Sequence, residues 1–428
     1  MTLDRRVAPP ARPIRHVEFL EAETIKLSNG IPVHMIKSGK QEVVGLELIF
    51  RSGGVRHEQK SGVAFFTNKM LAEGTATNNS EQISHEIDKY GAYLQLSPSL
   101  DYSTVDLYML SRHAQPLLST LRSLITDSQF PEDELDKLKT IQQQHLKVSN
   151  QKSNILASKK LRAALFGEEH PYGRALTEEA IEAVNQDDLQ SFYRQQLRNH
   201  LEIVISGDVN TEVLQIVEQY FGNISLVDSA PAEDTLPAVS ITSEKRVLIE
   251  RPDNLQSSIR IGKPLLTKEH PDYHKMQVLN TVFGGYFGSR LMRNIREEKG
   301  LTYGINSGQV TLQDAGYFVI GTEVKKEFTA QVIAEIHKEM AHLRDFPLDN
   351  SELNTVKNYM AGRLLSSVDT PFALAEKFKN IHLYGLTYDF YKNYLNTINT
   401  IDAKTLQETA QKYLTEENMV DVIIGAYQ

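Results

Sequence analysis

The segment SGVAFFTNKMLAEGT (residues 61–75) carries the strongest indication of the fold of this chain. A helix would place Phe65, Asn68 and Lys69 on adjacent turns of one face. Histidines at two such positions can chelate a zinc ion, and a carboxylate beside them can activate a bound water molecule. A phenyl ring, an amide and an ammonium can do neither, and the charge of Lys69 would repel a cation. The segment therefore predicts a helix that holds no metal.

The same segment resembles the zinc-binding helix of the pitrilysin/insulysin family of peptidases, whose pattern is G-x-A-H-F-x-E-H-x-L-x-x-G-T. The residues that match are Gly62, Ala64, Phe66, Leu71, Gly74 and Thr75. The resemblance implies that Phe65 and Lys69 replace the two zinc-binding histidines and that Asn68 replaces the catalytic glutamate. The third zinc ligand of the family is a glutamate on a later helix, and the corresponding position here is His145, in a segment without a carboxylate. We expect a peptidase fold that has lost the H-x-x-E-H motif.

A second segment, FGGYFGSRLMRNIREEKGLTYGINSG (residues 283–308), resembles the same family. It matches at Gly284, Gly285, Ser289, Arg290, Leu291, Ile295, Arg296, Glu297, Gly300, Leu301 and Tyr303. The resemblance implies that Arg296 and Tyr303 bind substrate carbonyl groups beside the bond that is cut. A guanidinium can donate to carbonyl oxygens, and a phenol can donate to a developing oxyanion. Two plainer interpretations stay open: Arg296 could pair with a neighbouring glutamate, and Tyr303 could be a core aromatic.

The two halves of the chain repeat one plan. FPEDELDKLKTIQQQHL begins at Phe130 and FPLDNSELNTVKNYMAGRLL begins at Phe346. Two further pairs of segments, ending near Gly207 and Gly425, follow in the same order at a nearly constant offset. This repeat predicts an N-terminal arm (1–20), an N-terminal peptidase-like domain (21–224), a linker (225–245) and a C-terminal peptidase-like domain (246–428) that carries the Arg/Tyr pair. For the arm, disorder is favoured over packing against a partner.

Strands precede long helices in the predicted secondary structure. Residues 31–38 and 42–53 alternate apolar and polar side chains and predict a hairpin across SGKQ, and residues 93–110 predict two more strands. Helical spacing of apolar residues follows in 118–130, 133–150 and 153–167, with Pro131 and three acidic residues at one helix start. The fold class is therefore α+β: two homologous domains, each a mostly antiparallel sheet with helices packed on it. The family resemblance implies that together they form half of a clam-shell chamber.

The amino-acid composition of the chain disfavours some classes of binding partner and some kinds of site. The chain has 428 residues, 40% of them hydrophobic, which is typical of a globular protein. A net charge of −9 disfavours nucleic acid and anionic membranes as partners. The absence of cysteine excludes disulfides and thiolate metal sites. No signal peptide and no membrane span are indicated, so a cytoplasmic location is expected, with the periplasm left open.

Two other histidine pairs are candidate metal sites. His270 and His274 are four residues apart, but Pro271 lies between them, so only His274 is expected to be helical. His337 and His342 are five apart and do not share a helix face. The sequence therefore predicts no metal and no cofactor in this chain.

The resemblance implies a non-catalytic, substrate-binding subunit of a heterodimeric zinc metallopeptidase, similar to the bacterial members of the mitochondrial processing peptidase branch. A homologous partner chain would carry H-x-x-E-H and the zinc, and this chain would be inactive as a metalloendopeptidase by itself. Peptides or unfolded segments would be the substrates, bound partly by strand addition to a sheet edge. Two alternatives stay open: a structural subunit like the core proteins of the cytochrome bc complex, and a peptide-binding homodimer without hydrolysis.

Overall fold

The computed structural model describes residues 14–39, 41–197, 200–225 and 236–427. The first half contains a six-stranded sheet. Its strands in chain order are β1 (Glu23–Lys26), β2 (Pro32–Lys37), β3 (Val43–Phe50), β4 (Tyr93–Pro98), β5 (Ser103–Leu110) and β6 (Leu201–Gly207). Their spatial order is β1-β2-β6-β3-β5-β4, so β4 lies at an edge. All neighbours are antiparallel except β2 and β6.

The second half contains a five-stranded sheet with a corresponding layout. Its strands are β7 (Arg246–Glu250), β8 (Gln256–Leu265), β9 (Thr302–Thr311), β10 (Gly316–Lys325) and β11 (Val420–Gly425). Their spatial order is β7-β11-β8-β10-β9, and only β7 and β11 are parallel. Apart from β1, both sheets therefore share one sequence of strands and one pattern of directions, and β9 lies at an edge as β4 does.

Helices complete each half, and the predicted α+β class is confirmed. In the first half they are α1 (Val63–Met70), α2 (Ser80–Asp88), α3 (Ala114–Thr126), α4 (Glu132–Gln151), α5 (Ser153–Phe166), α6 (Glu178–Ala183), α7 (Gln186–Phe192) and α8 (Thr211–Phe221). In the second they are α9 (Tyr273–Asn280), α10 (Thr329–Asp345), α11 (Asn350–Ser366), α12 (Pro371–His382), α13 (Asp389–Thr400) and α14 (Ala403–Tyr413). Helix α4 begins directly after Pro131 with acidic residues in its first turn, as predicted.

The prediction of a hairpin between β2 and β3 across SGKQ is wrong. Strands β2 and β3 both form, but β6 lies between them, with Val33 opposite Ile203 on one side and Leu46 opposite Ile205 on the other. Alternation of apolar residues identifies a strand without identifying its partner. Strand β6 is almost wholly buried, and the central place in the sheet gives it partners on both sides.

One helix of each half packs on the sheet of the other half. Helix α5 packs on β8 and β11, and α12 packs on β2 and β6. The apolar residues that form the α5 contact are Ala157, Leu161, Leu165, Phe166, Val422 and Ile424. Those that form the α12 contact are Ile36, Ile49, Val204, Leu374, Ala375 and Phe378. The two halves are therefore held together by two buried apolar contacts.

Part of the predicted arm and part of the predicted linker lie within the described residues. Val17 is buried in the core of the second half, and Phe19 stacks on Tyr391 with ring centroids 4.8 Å apart. Val17 and Phe19 thus pack on the second half, in contrast to the disorder expected for the arm, whereas residues 1–13 lie outside the described ranges. In the linker, residues 226–235 also lie outside them, and the Ser240 amide donates to the Phe166 carbonyl at 3.1 Å.

Within the described ranges, no helix combines the length and the apolar character needed to cross a membrane.

Candidate functional site

Helix α1 is anchored at its N-terminus by a buried carboxylate. The two oxygens of Glu58 accept hydrogen bonds from the Gly62 and Ala64 amides at 3.1 and 2.9 Å, and Arg174 donates to the same carboxylate at 2.8 Å. Gly62 precedes the helix with φ +95°, a conformation that favours glycine. The helix therefore begins where the resemblance places it, with a fixed orientation against the sheet.

The three side chains at the expected zinc positions are committed to other contacts. Asn68 is fully buried, and its Nδ2 donates to the Thr104 carbonyl at 3.2 Å. Lys69 Nζ donates to the Leu96 carbonyl on edge strand β4 at 2.5 Å, and burial lowers the pKa of Lys69. Phe65 is partly buried and meets the Phe66 ring edge-on, with centroids 5.3 Å apart.

These residues do not fit a zinc ion. None of the three offers an imidazole or a carboxylate, and an amine occupies the space beside β4. His145, at the position of the expected third ligand, is exposed on α4. The interpretation of Phe65, Asn68 and Lys69 as a vacated zinc site stays a prediction, but the side chains present supply no ligand set.

Arg296 and Tyr303 are brought together at the start of edge strand β9. Arg296 lies in a π-helical turn (Met292–Glu298), and its Nε donates to the Tyr303 carbonyl at 3.0 Å. Its guanidinium also lies 4.6 Å from the centre of the exposed Phe287 ring. The Tyr303 side chain is 92% exposed, so it is not the core aromatic that remained an alternative. Neither Glu297 nor Glu298 forms an ion pair with Arg296 in the described structure.

Tyr303 lines a cleft of about 1180 Å³ between the two halves. The first half contributes Lys152, Ser153 and Asn154, at the junction of α4 and α5, and the second half contributes the ends of β8, β9 and β10. Across the described residues, no hydrogen bond, ion pair or ring contact joins Arg296 or Tyr303 to the three positions on α1. The Arg296–Tyr303 pair and the three positions on α1 therefore do not contact each other directly.

The histidines of the two candidate pairs contact different groups. His270 precedes α9 and accepts from the Asp272 amide, whereas His274 is helical, as predicted, and contacts Gln277. His337 faces Asp421, and His342 contacts Arg290 at 2.7 Å. That neither pair holds a metal stays a prediction.

Two groups of residues that contact one another were not predicted from the sequence. One is the Glu58–Arg174 pair that fixes the start of α1, and the other is the cluster of His34, Glu202 and His382, which is described below. Residues in each group are distant in sequence and lie on different elements. Because no spacing pattern connects them, only the tertiary structure could reveal them.

The fold defines a two-domain protein of the zinc-peptidase type, with two sheets of matching strand order. Residues 33–179 match the family described as insulinase (peptidase family M16), and residues 183–360 match the peptidase M16 inactive domain. The chain belongs to peptidase family M16.

Relatives and solved structures match most of the chain. It is 25% identical over 86% of its length to a Bacillus subtilis protein named uncharacterized zinc protease YmxG, of which 90% is covered. It is 23% identical over 89% of its length to the non-peptidase homolog YmxG of Helicobacter pylori, of which 88% is covered. The crystal structure of a peptidase M16 inactive domain from Pseudomonas fluorescens superimposes with a TM-score of 0.85, covering 96% of this chain and 98% of that one, at 24% identity.

Proposed function

We propose that this chain is a non-catalytic, substrate-binding subunit of a heterodimeric zinc peptidase. The contact that carries the proposal is the hydrogen bond from Lys69 Nζ to the Leu96 carbonyl. By the resemblance, Lys69 would stand where the family has its second histidine, and the hydrogen bond ties this cationic side chain to the neighbouring strand. The name non-peptidase homolog, borne by the Helicobacter relative, supports the same conclusion.

The second half supplies the groups that would contact substrate. Tyr303 lies at the start of an edge strand and lines a cleft large enough for a peptide, and Arg296 reaches Tyr303 from the preceding π-helical turn. Arg296 already binds a backbone carbonyl, that of Tyr303, which is the contact that it would make with a peptide. The exposed phenol could donate a hydrogen bond to the oxyanion that forms when water attacks the peptide. Both residues would complete the active site of the partner chain.

Peptide would be held by its backbone. Strands β4 and β9 end their sheets, and an extended peptide can add to such an edge through main-chain hydrogen bonds. On β4 the Leu96 carbonyl already accepts a hydrogen bond from Lys69, whereas β9 carries Tyr303 at its second residue. We therefore favour β9 over β4 as the edge that this chain offers.

Reconstitution tests the proposal. The purified chain, a purified homologue that carries H-x-x-E-H, and their equimolar mixture are assayed on a library of unstructured peptides. We expect no hydrolysis by this chain, hydrolysis by the mixture, and co-elution of the two chains as a one-to-one complex. Hydrolysis by this chain alone, or full activity of the homologue without it, would overturn the proposal.

A further inference from the structure

Three side chains at the contact between α12 and the first sheet have the composition of a metal site. His34 lies on β2, Glu202 on β6 and His382 at the end of α12, and their ligand atoms all lie within 4.8 Å of one another. In the part of the chain that the structure describes, no other group of three histidine, aspartate or glutamate residues meets this criterion. The cluster draws on both halves of the chain.

His34 points an unused nitrogen at the other two residues. Its side chain is 5% exposed, and Nε2 makes no hydrogen bond, although it lies 3.5 Å from Glu202 Oε2. On the opposite side of the ring, Nδ1 lies 2.9 Å from the Thr24 hydroxyl. The hydroxyl can accept a hydrogen bond from Nδ1 or donate one to it, and in the tautomer that carries the proton on Nδ1 the Nε2 lone pair is directed at the cluster. A buried acceptor without a partner is costly unless a ligand satisfies it.

The carboxylate of Glu202 is held in place by its outer contacts. Arg51 Nε donates to Oε1 at 2.5 Å, while Oε2 lies 2.6 Å from His382 Nε2. Arg51 Nη2 also donates to Oε2 at 3.4 Å, so the guanidinium orients the whole carboxylate while Oε2 faces both imidazoles, as in metal sites whose ligands are fixed by surrounding hydrogen bonds. The positive charge of Arg51 opposes a second cation, so the affinity should be lower than that of a site without it.

The surroundings suit a bound ion with access to solvent. The Phe378 ring lies 4.8 Å from both imidazole rings and forms an apolar wall. The His382 side chain is 27% exposed, which leaves a path of entry. A tetrahedral zinc ion keeps its ligand atoms about 3.3 Å apart. The two distances from Glu202 Oε2 to the imidazole nitrogens, 3.5 and 2.6 Å, lie on either side of that value, and all three ligand atoms lie within 4.8 Å of one another.

We propose that His34, Glu202 and His382 bind a divalent transition-metal ion, best matched by Zn²⁺, between the two halves of the chain. Two imidazoles and one carboxylate form a ligand set that zinc accepts, with a fourth position left for water. The ion would fasten α12 to β2 and β6. This site is unrelated to the α1 positions, so the expectation that this chain binds no metal would hold for α1 alone.

Zinc titration of the chelator-treated, full-length protein tests the site. We expect one Zn²⁺ per chain by equilibrium dialysis with elemental analysis, and a melting temperature that rises until the site is saturated. His382→Gln, which keeps a side chain able to donate to Glu202, should weaken binding at least about 10-fold. Thr24→Val, on the exposed strand β1, should weaken it by about 10-fold through the orientation of His34.

The matched control is His145→Gln, since His145 is exposed on α4 and lies outside the cluster. It should leave both the stoichiometry and the affinity unchanged. The absence of saturable zinc uptake by the wild-type chain would overturn the proposal. So would zinc uptake that neither His382→Gln nor Thr24→Val weakens.

Discussion

At the scale of single residues, the side chains on α1 do more than lack zinc ligands. Asn68 has no exposed surface and bonds to the Thr104 carbonyl, and Lys69 is tied to Leu96. An amide and an amine, each donating to a backbone carbonyl group, therefore occupy these two positions, while Asn68 Oδ1 is buried without a hydrogen bond within the described structure. Restoring the motif would place a carboxylate at a buried position that now holds a neutral group, which is costly.

Restoring the zinc motif on α1 should not restore activity. The triple variant Phe65→His, Asn68→Glu, Lys69→His still lacks a carboxylate near His145 to serve as third ligand. We expect no peptide hydrolysis above background and a lower melting temperature, because Asn68→Glu buries a charge. The control is Phe65→His alone, at a position that is only partly buried, which should melt close to wild type. Efficient hydrolysis by the triple variant would contradict this expectation and show that α1 can hold a catalytic zinc ion.

Arg296 should affect substrate binding. Its guanidinium reaches a backbone carbonyl, a group that every peptide substrate presents in the ground state as well as in the transition state. In the assembled heterodimer, Arg296→Ala should therefore raise KM in addition to any loss of kcat, as steady-state kinetics would show. Arg293→Ala is the matched control, since Arg293 is exposed in the same turn. Equal kinetic changes in both variants would assign the effect to the turn rather than to Arg296.

The identity of the residues at these sites could be predicted from the sequence, but their contacts could not. The pattern around residues 61–75 predicts which side chains replace the zinc ligands, because spacing along one helix fixes their relative positions. That Lys69 would reach Leu96 depends on how α1 sits over β4. The packing of a helix on a strand depends on tertiary contacts that spacing does not encode.

At the scale of elements, α12 is the clearest case of structure that sequence patterns do not reveal. Its apolar face predicts a packed helix but does not indicate that the partner is the sheet of the other half. The incorrect β2–β3 hairpin has the same origin, since alternation gives the strand but not its neighbour. Helices α4 and α5 and strands β2 to β5 lie where the sequence predicts them, because the apolar spacing that indicates them is local. The packing of α5 and α12 on the sheet of the opposite half was not predicted, because it depends on contacts between distant segments.

A buried ion pair adds to the α12 contact. Lys379 Nζ lies 2.7 Å from Glu47 Oε1 on β3 and 2.7 Å from Glu376 Oε1, and Asp106 is a further neighbour. Burial raises the pKa of Glu47 to about 7, although Lys379 opposes this rise. The folded state therefore holds a proton on Glu47 that the unfolded state has released between about pH 4.5 and 7. The stability that this group contributes is present below pH 4.5 and is lost as the pH rises through 7.

Removing the Lys379 charge should destabilise the protein in a pH-dependent way. At pH 8, Lys379→Met would leave an ionised Glu47 buried without its partner, at a cost of about 3 kcal/mol in the free energy of unfolding. At pH 5.5 Glu47 can take up a proton, so the loss should be smaller. Urea denaturation at both pH values measures the difference.

The matched control for Lys379 is Lys392→Met. Lys392 pairs with Asp389 at the surface, so its removal should change the free energy of unfolding by no more than about 0.5 kcal/mol at either pH. An equal loss at pH 5.5 and pH 8 in Lys379→Met would assign the effect to packing and not to the charge of Glu47.

At the scale of the whole molecule, the two halves divide the features that an active member of the family would combine. The first half contains helix α1 with no metal ligand at Phe65, Asn68 or Lys69, and the second contains the half-buried Arg296 and the exposed Tyr303, which lines the cleft. Helices α5 and α12, each packed on the sheet of the opposite half, join the two halves. A partner chain with an intact zinc motif would supply what this chain lacks, which is the basis of the proposed heterodimer.

The central claim is that this chain completes the active site of its partner, and one measurement tests it most directly. The kcat of the reconstituted heterodimer is compared between wild type and Tyr303→Phe, with zinc content and complex formation verified in both. If the Tyr303 hydroxyl donates to the oxyanion, kcat should fall by about 10²-fold while assembly stays intact, because the side chain is exposed and supports no core. An unchanged kcat in an intact heterodimer would contradict the account and leave this chain as a scaffold.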